Sequence, residues 1–377
     1  MRSFVILPRL ALLLACGVLS NSATVASQHV MSGPSPTTSG AVIKGSGGPR
    51  LWVRWSPDGK WLVGVSQFGP VLIYDVNDLS SARIFPVGMW MVDWSPDGKM
   101  IVTAEGRDGA RTWDSSSGGR PLTAKESSTG PYDGIQHLRV FDKPLRVLES
   151  PDPDAKNRVF WTEFSPDGKR LLESKGTGNV KVWNTSTWEL EQTIAITSAE
   201  CRTAAFTNDG QAVLVGDTDG ALRLWSLTEK RVIRTLNNPI PEPNSVSRIV
   251  FSRSSRVMLS THLTKGGSSI VRWNTADWTG TVIAGDAAAI SSNGEWIAVG
   301  GDGVRLTSTL AGAPGKTLPL LHPDVLPKDA VRTGARADER QSTQNSVRVV
   351  SLAFSPDDSR IAAGCSDGTI QIIRVPH

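Results

Sequence analysis

Gly364-Cys365-Ser366-Asp367-Gly368 has the G-x-S-x-G spacing of a serine nucleophile held on a sharp turn. That chemistry needs a strand-to-helix turn in an α/β sheet. Here the five residues lie between two short apolar runs that read as strands, and no hydrolase domain follows. Asp217-Thr218-Asp219-Gly220 opens like a calcium loop but lacks the later ligands of a full one. The histidines are His29, His137, His262, His322 and His377, and none stands at metal-ligand spacing from another His or from a Cys. There is no Gly-rich phosphate loop with its Lys. The residues that could do chemistry are thus read as turns, and no cofactor or metal is expected.

The most frequent polar signature is a turn. Ser56-Pro57-Asp58-Gly59-Lys60 recurs as Ser95-Pro96-Asp97-Gly98-Lys99 and Ser165-Pro166-Asp167-Gly168-Lys169, and again as Ser355-Pro356-Asp357-Asp358. Pro at the second position presets φ, and Gly at the fourth takes a positive φ cheaply, so each reads as a type I turn with a left-handed Gly. The acidic box S-x-D-x-G-x-x-W does not fit, because the Gly comes one place early. Equivalent places fall at Pro57, Pro96, Pro166, Asn208, Arg253, Ser292 and Pro356, with gaps of 39, 70, 42, 45, 39 and 64 residues. Four gaps lie near the period of a four-stranded propeller blade, about forty residues. The two long ones hold one period plus an insertion.

Each unit reads the same way. An apolar strand such as VFWTEF or VVSLAF enters the turn. A second strand such as AVLVGD or RIAAGC leaves it, and a third such as VKVWNT or LRLWSL follows. A looser fourth strand closes the unit, as at 189–195 and 230–236. Alternation has period two throughout and helical periodicity is absent.

FSPDG, a small-residue strand, Asp-Gly and a strand ending in Trp-Asp resemble the WD40 repeat. Residues 349–375 are close to a full match, 201–227 and Trp113-Asp114 support it, and the resemblance covers most of 38–377. The first unit drifts toward the TolB-type bacterial propeller repeat. Departures are the missing Gly-His pair, which removes the family's buried His–Asp network, and degenerate closing pairs such as Tyr74-Asp75, Trp183-Asn184, Trp225-Ser226 and Trp273-Asn274. The resemblance implies an all-β, seven-bladed β-propeller of four-stranded antiparallel blades. The last unit stops after its third strand, so a strand from Ser39–Lys44 is expected to complete it and close the ring, since an open edge is a liability. Trp55 and Trp94 end first strands, Trp113, Trp183, Trp225 and Trp273 end third strands, and these six of the 13 Trp are expected in the packing between blades. Trp188 and Trp278, in turns, are the candidates for an exposed sugar-binding platform.

The bulk numbers agree with export. Residues 1–26 run from Arg2 and Arg9 through LALLLACGVL to small polar residues, the order of a secretory leader. Its apolar part is too short for a permanent span, and no later stretch is long enough. Leu13-Leu14-Ala15-Cys16 resembles a lipobox, which would lipidate Cys16; cleavage near Ala23 or Ala26 is the alternative. Residues 27–37 read as a linker. The destination is the periplasm, the outer membrane as a lipoprotein, or the exterior. Lys+Arg minus Asp+Glu is 40 − 36, or +4, without a basic run, which speaks against nucleic acid. Cys201 and Cys365 fall in separate units and read as buried thiols.

The insertions, near 115–157 and 322–346, are expected to share one face of the disc. HLRVFDKPLRVLE in the first could supply the outer hairpin of the second blade. Loops on a rigid scaffold carry function disproportionately, so the candidate contacts for a protein partner are Tyr132, His137, Arg332, Arg336 and Arg340, the three Arg at i, i+4 spacing. The expected function is a non-catalytic, monomeric interaction scaffold. The alternatives are a lactonase- or hydrolase-like propeller using Asp93 and Glu163 at the inner strands, and a glycan-binding propeller.

Overall fold

The computed structural model describes residues 41–43, 50–66, 71–85, 91–105, 109–122, 137–141, 143–148, 158–196, 199–241, 245–253, 256–309, 316–318 and 347–375. They form seven sheets. After β1 (Ala41–Ile43), blade one holds β2 (Arg50–Trp55), β3 (Trp61–Ser66), β4 (Leu72–Asp75) and β5 (Ser81–Ile84). Blade two holds β6 (Met91–Trp94), β7 (Met100–Ala104), β8 (Ala110–Asp114) and, beyond β9 (Arg120–Pro121) and β10 (His137–Val140), β11 (Arg146–Leu148). Blade three is β12 (Val159–Phe164), β13 (Arg170–Lys175), β14 (Asn179–Asn184) and β15 (Leu190–Ala195). Blade four is β16 (Cys201–Phe206), β17 (Ala212–Asp217), β18 (Leu222–Ser226) and β19 (Arg231–Thr235). Blade five is β20 (Ser245–Phe251), β21 (Val257–Thr264), β22 (Gly267–Asn274) and β23 (Thr279–Ile283). Blade six is β24 (Ala287–Ile290), β25 (Trp296–Gly300), β26 (Val304–Ser308) and β27 (Lys316–Leu318). Blade seven is β28 (Val349–Phe354), β29 (Arg360–Cys365) and β30 (Ile370–Arg374), completed by β1.

The closing strand is where the sequence places it. β1 pairs antiparallel with β30, Ala41 opposite Ile372 and Ile43 opposite Ile370. Ile43 is buried in one cluster with Val53, Trp55 and Leu62 of blade one and Ala362 and Ile370 of blade seven. The Trp55 indole N–H crosses the seam to the Ala353 carbonyl at 3.1 Å.

The repeated turn is a self-contained hydrogen-bond unit. In blade two the Gly98 N–H donates to the Ser95 carbonyl at 2.8 Å, with Gly98 at φ 71°. The Ser95 hydroxyl donates to Asp97 at 2.6 Å and accepts the Met100 N–H at 2.8 Å, while Asp97 also accepts the Lys99 N–H at 3.0 Å. Ser56 with Asp58, Ser165 with Asp167, Thr207 with Asp209 and Ser355 with Asp357 repeat the contact. Hydrogen bonds from Ser95, Thr207 and Ser355 hold Asp97, Asp209 and Asp357 below the usual carboxylate range. The turns also touch: a Cβ placed on Gly168 would lie 3.4 Å from Pro96 Cδ, and one on Gly59 3.6 Å from Pro356 Cδ. Third strands reach back to this ring, as when Thr185 donates to the Gly168 carbonyl at 2.7 Å.

Between blades, small residues on second strands let the next blade approach. A Cβ on Gly216 would sit 2.7 Å from the Val246 side chain, and one on Gly300 2.7 Å from that of Val349. The third-strand Trp residues find partners despite the missing Gly-His pair. Trp113 donates to Thr103 at 3.0 Å, which donates to Glu105; Trp183 donates to Glu173 at 2.9 Å; Trp273 donates to Ser260 at 2.8 Å, itself 2.7 Å from His262 Nε2. Second-strand side chains thus supply a buried polar network in place of the family's His–Asp one. Cys201 and Cys365 are free and buried, and burial pushes both thiols up to about 12.

Two strands of the first insertion extend the sheet of blade one beyond its four blade strands, because β10 pairs parallel with β5 and antiparallel with β9. HLRVFDKPLRVLE is therefore no hairpin: His137–Val140 joins blade one, and only Arg146–Leu148 edges blade two. Phe141 explains the split, stacking on Phe85 of blade one at 4.4 Å while lying edge-on to Trp113 of blade two at 6.0 Å. The first insertion leaves β8 at Ser115, whose N–H bonds the Lys99 carbonyl at 2.9 Å on the turn face; the second, residues 322–346, lies outside the described residues.

Deleting residues 38–46 is expected to lower the melting temperature of the whole domain in one cooperative shift; unchanged melting would refute the closure. Ser95→Ala removes a hydroxyl that both gives and receives, and should cost about 1–2 kcal/mol in urea unfolding.

Candidate functional site

Inner strands of all seven blades and the turns after them surround a central funnel of about 400 Å³. It opens on the turn face, where Pro57, Pro96, Pro166, Asn208, Arg253, Ser292 and Pro356 form its rim. Those seven are the equivalent turn positions counted in the sequence, so the repeat itself decides what stands at the mouth.

Blades one, two, three and five supply the funnel's charged groups. Arg54 Nε lies 2.8 Å from Asp93 Oδ1, and the Asp93 side chain is 1% exposed. Asp93 also accepts the Trp94 N–H at 2.7 Å and the Phe164 N–H at 3.0 Å, so it ties blade two to blade three. Burial raises the Asp93 pKa, opposed by Arg54 and these two N–H groups. Glu163 accepts the Trp161 indole N–H at 3.3 Å. Burial, with the neighbouring Asp93 carboxyl, pushes Glu163 up to about 8 against the pull of Arg54. Glu163 is consequently mostly protonated at pH 7.

Blade five supplies the other charges. The Arg248 guanidinium stacks over the Trp52 ring at 4.1 Å, and its Nη2 donates to the Leu352 carbonyl of blade seven at 3.3 Å. Burial, then the Arg54 charge, push Arg248 down to about 9, which leaves it charged at neutral pH. Trp52 also meets Trp161 edge-on at 4.8 Å. Arg253 stands exposed at the rim.

Asp93 and Glu163 were legible as inward-facing carboxylates, and the structure brings them together. Arg54 and Arg248 were missed, because ordinary strand alternation does not separate a funnel-facing Arg from a surface one. The signal for Arg253 was present: it replaces Pro in the turn. Among the described residues no group of three or more His, Cys, Asp or Glu is arranged to hold a metal ion. Ser366 lies in the turn between β29 and β30 and accepts the Arg348 N–H at 3.0 Å, while Asp367 accepts the Thr369 N–H at 2.9 Å. Asp217 accepts the N–H groups of Asp219 and Ala221 at 3.0 Å each and pairs with Arg223. Both motifs are structural turns.

Of the candidate partner contacts, His137 is exposed at the start of β10, its N–H bonded to the Ser80 carbonyl at 3.1 Å. β10 runs parallel to β5, which starts at the turn face, so His137 lies at that face's perimeter. Tyr132, Arg332, Arg336, Arg340 and Cys16 lie outside the described residues. Trp188 and Trp278 are not an exposed platform: both are partly buried against core clusters, at φ 60° and 62°. No helix among the described residues is long and apolar enough to cross a membrane.

A family model described as WD domain, G-beta repeat (WD40) matches residues 340–374. Polyadenylation factor subunit 2 of Candida albicans is 26% identical over 139 residues, which are 37% of this chain and 24% of that protein. Guanine nucleotide-binding protein subunit beta-1 of Nicotiana tabacum is 24% identical over 239 residues, 58% of this chain and 57% of its own. Transcription initiation factor TFIID subunit 5 of Caenorhabditis elegans is 22% identical over 250 residues, 66% and 34% of the respective chains. The chain thus spans less than two thirds of each of these relatives. The matches support a WD40-type propeller.

Glu163 takes up a proton on folding, so its contribution to stability is full below the ordinary glutamate range and is lost as pH rises through about 8. Glu163→Gln keeps the neutral form. Its melting temperature is expected to match the parent's near pH 5, to exceed it increasingly up to pH 8, and to keep a constant lead above. Parallel curves across that range would refute the assignment.

Proposed function

We propose that this WD40-type seven-bladed propeller is a non-catalytic platform of the cell envelope or exterior that binds a protein partner on its turn face. The observation that carries the reading is the division of labour among polar groups on that face. Asp and Ser of the repeated turns are consumed within their own turns, so they form a stiff rim rather than a reactive site. The groups left to meet a partner are those of the funnel and, at the perimeter, His137. A rigid rim around a polar recess suits recognition, because little order is lost on docking.

Export rests on the leader at 1–26. The TolB-type drift of the first unit fits a bacterial setting. Arg332, Arg336 and Arg340 of the 322–346 insertion are a second contact region on this reading. Asp93 and Glu163 favour the enzyme alternative less, since Asp93 is held by Arg54 and two backbone N–H groups.

A photo-crosslinking residue placed at Asn208 or His137, on the turn face, is expected to capture a discrete protein from envelope extract. One at Asp302, in the turn after β25 on the far face, should not. Capture from Asp302 alone would overturn the choice of face. Full-length expression in a bacterial host should yield a chain shortened at its N-terminus, and an uncut chain in the cytosol would overturn export.

A further inference from the structure

The charges of the funnel do not balance. Arg54 is matched by Asp93, whereas Arg248 and Arg253 have no ion-pair partner among the described residues. Arg248 is held in place by Trp52 and the Leu352 carbonyl. Its Nε, buried at the funnel wall, finds no hydrogen-bond acceptor there. A buried guanidinium N–H without an acceptor is costly, and an oxygen from a ligand would remove that cost. Arg253 projects from the turn position that Pro fills in blades one, two, three and seven, which brings it to the same recess. Blade five therefore supplies one cation at depth and one at the rim.

We propose that the funnel is a carboxylate-binding site, taking an acidic side chain or C-terminal carboxylate of a peptide between Arg248 and Arg253, with Glu163 donating a hydrogen bond from blade three. This rests on the protein-binding reading and names the chemistry of the partner. Guanidinium groups match carboxylate geometry with two parallel N–H bonds. A neutral Glu163 adds an O–H donor that suits a carboxylate acceptor. The cavity, at about 400 Å³, admits a few residues of extended peptide and not a folded domain. Its charged lining consists of Arg54 on β2, Asp93 on β6, Glu163 on β12, Arg248 on β20 and Arg253 in the turn after it; the described lining from blades four, six and seven carries no charge.

The test is fluorescence anisotropy of the full chain with labelled hexaglutamate and hexaglutamine peptides at low salt. Hexaglutamate is expected to bind at least about tenfold more tightly. Arg253→Ser and Arg248→Met should each weaken it by about tenfold; Arg253 is exposed, so its variant stays informative if Arg248→Met does not fold. Between pH 6.5 and 8.5 the parent's affinity should fall as Glu163 ionises, and that of Glu163→Gln should hold. Competition by glutarate would assign the site to free carboxylates as well as peptides, and its failure to compete would restrict the site to peptides. Equal binding of both peptides, unchanged hexaglutamate binding by Arg253→Ser, or competition by inorganic phosphate as strong as by glutarate would overturn the proposal. Crosslinking at Asn208 that still captures a partner would then leave the protein-binding reading standing.

Discussion

Everything in this molecule hangs on three residues of backbone pairing, Ala41–Ile43 against Ile370–Ile372. A blade alone is a small sheet that cannot bury both faces, and it becomes stable by leaning on its neighbours. In a row, the first and last blades would each keep one apolar face in water. Pairing β1 with β30 puts blade seven against blade one and abolishes that exposure, with Ile43, Trp55 and Ile370 in one buried cluster. The funnel follows from closure, since its wall exists only when seven inner strands face a common axis.

The Ser-Pro-Asp-Gly turn has a related part. It joins each funnel-lining inner strand to the second strand of its blade, and its polar atoms are satisfied internally, so it holds the rim without outside help. Where a blade departs from the pattern, a different side chain stands at the mouth. Blade five departs most usefully, with Arg in the place of Pro. A scaffold that needs proline for rigidity at most positions can vary one position for recognition, because its neighbours keep the ring stiff.

Much of this was legible in advance. The forty-residue period, the strand–turn–strand script and the missing outer strand of the last unit sufficed to place seven blades and the strand that closes them. The 115–157 stretch was misread because a short apolar run does not reveal which blade edge it will join. Phe141 goes where Phe85 and Trp113 leave room, a fact of side-chain packing between blades rather than of the local pattern. The substitute networks under Trp113, Trp183 and Trp273 were hidden likewise, since their donors and acceptors come from a different strand of the blade.

The sequence by itself determined the repeat, the turn chemistry and the strand order within each blade, because each depends on residues within about forty positions of one another, and the missing outer strand of the last unit pointed to the strand that closes the ring. Tertiary structure alone decided which polar residues meet. Arg54, Asp93, Glu163 and Arg248 are spread over almost two hundred positions and come together only because the ring turns four inner strands toward one axis. Their altered protonation has the same origin: burial and neighbouring charge are properties of a place in the fold, and no residue carries them in isolation.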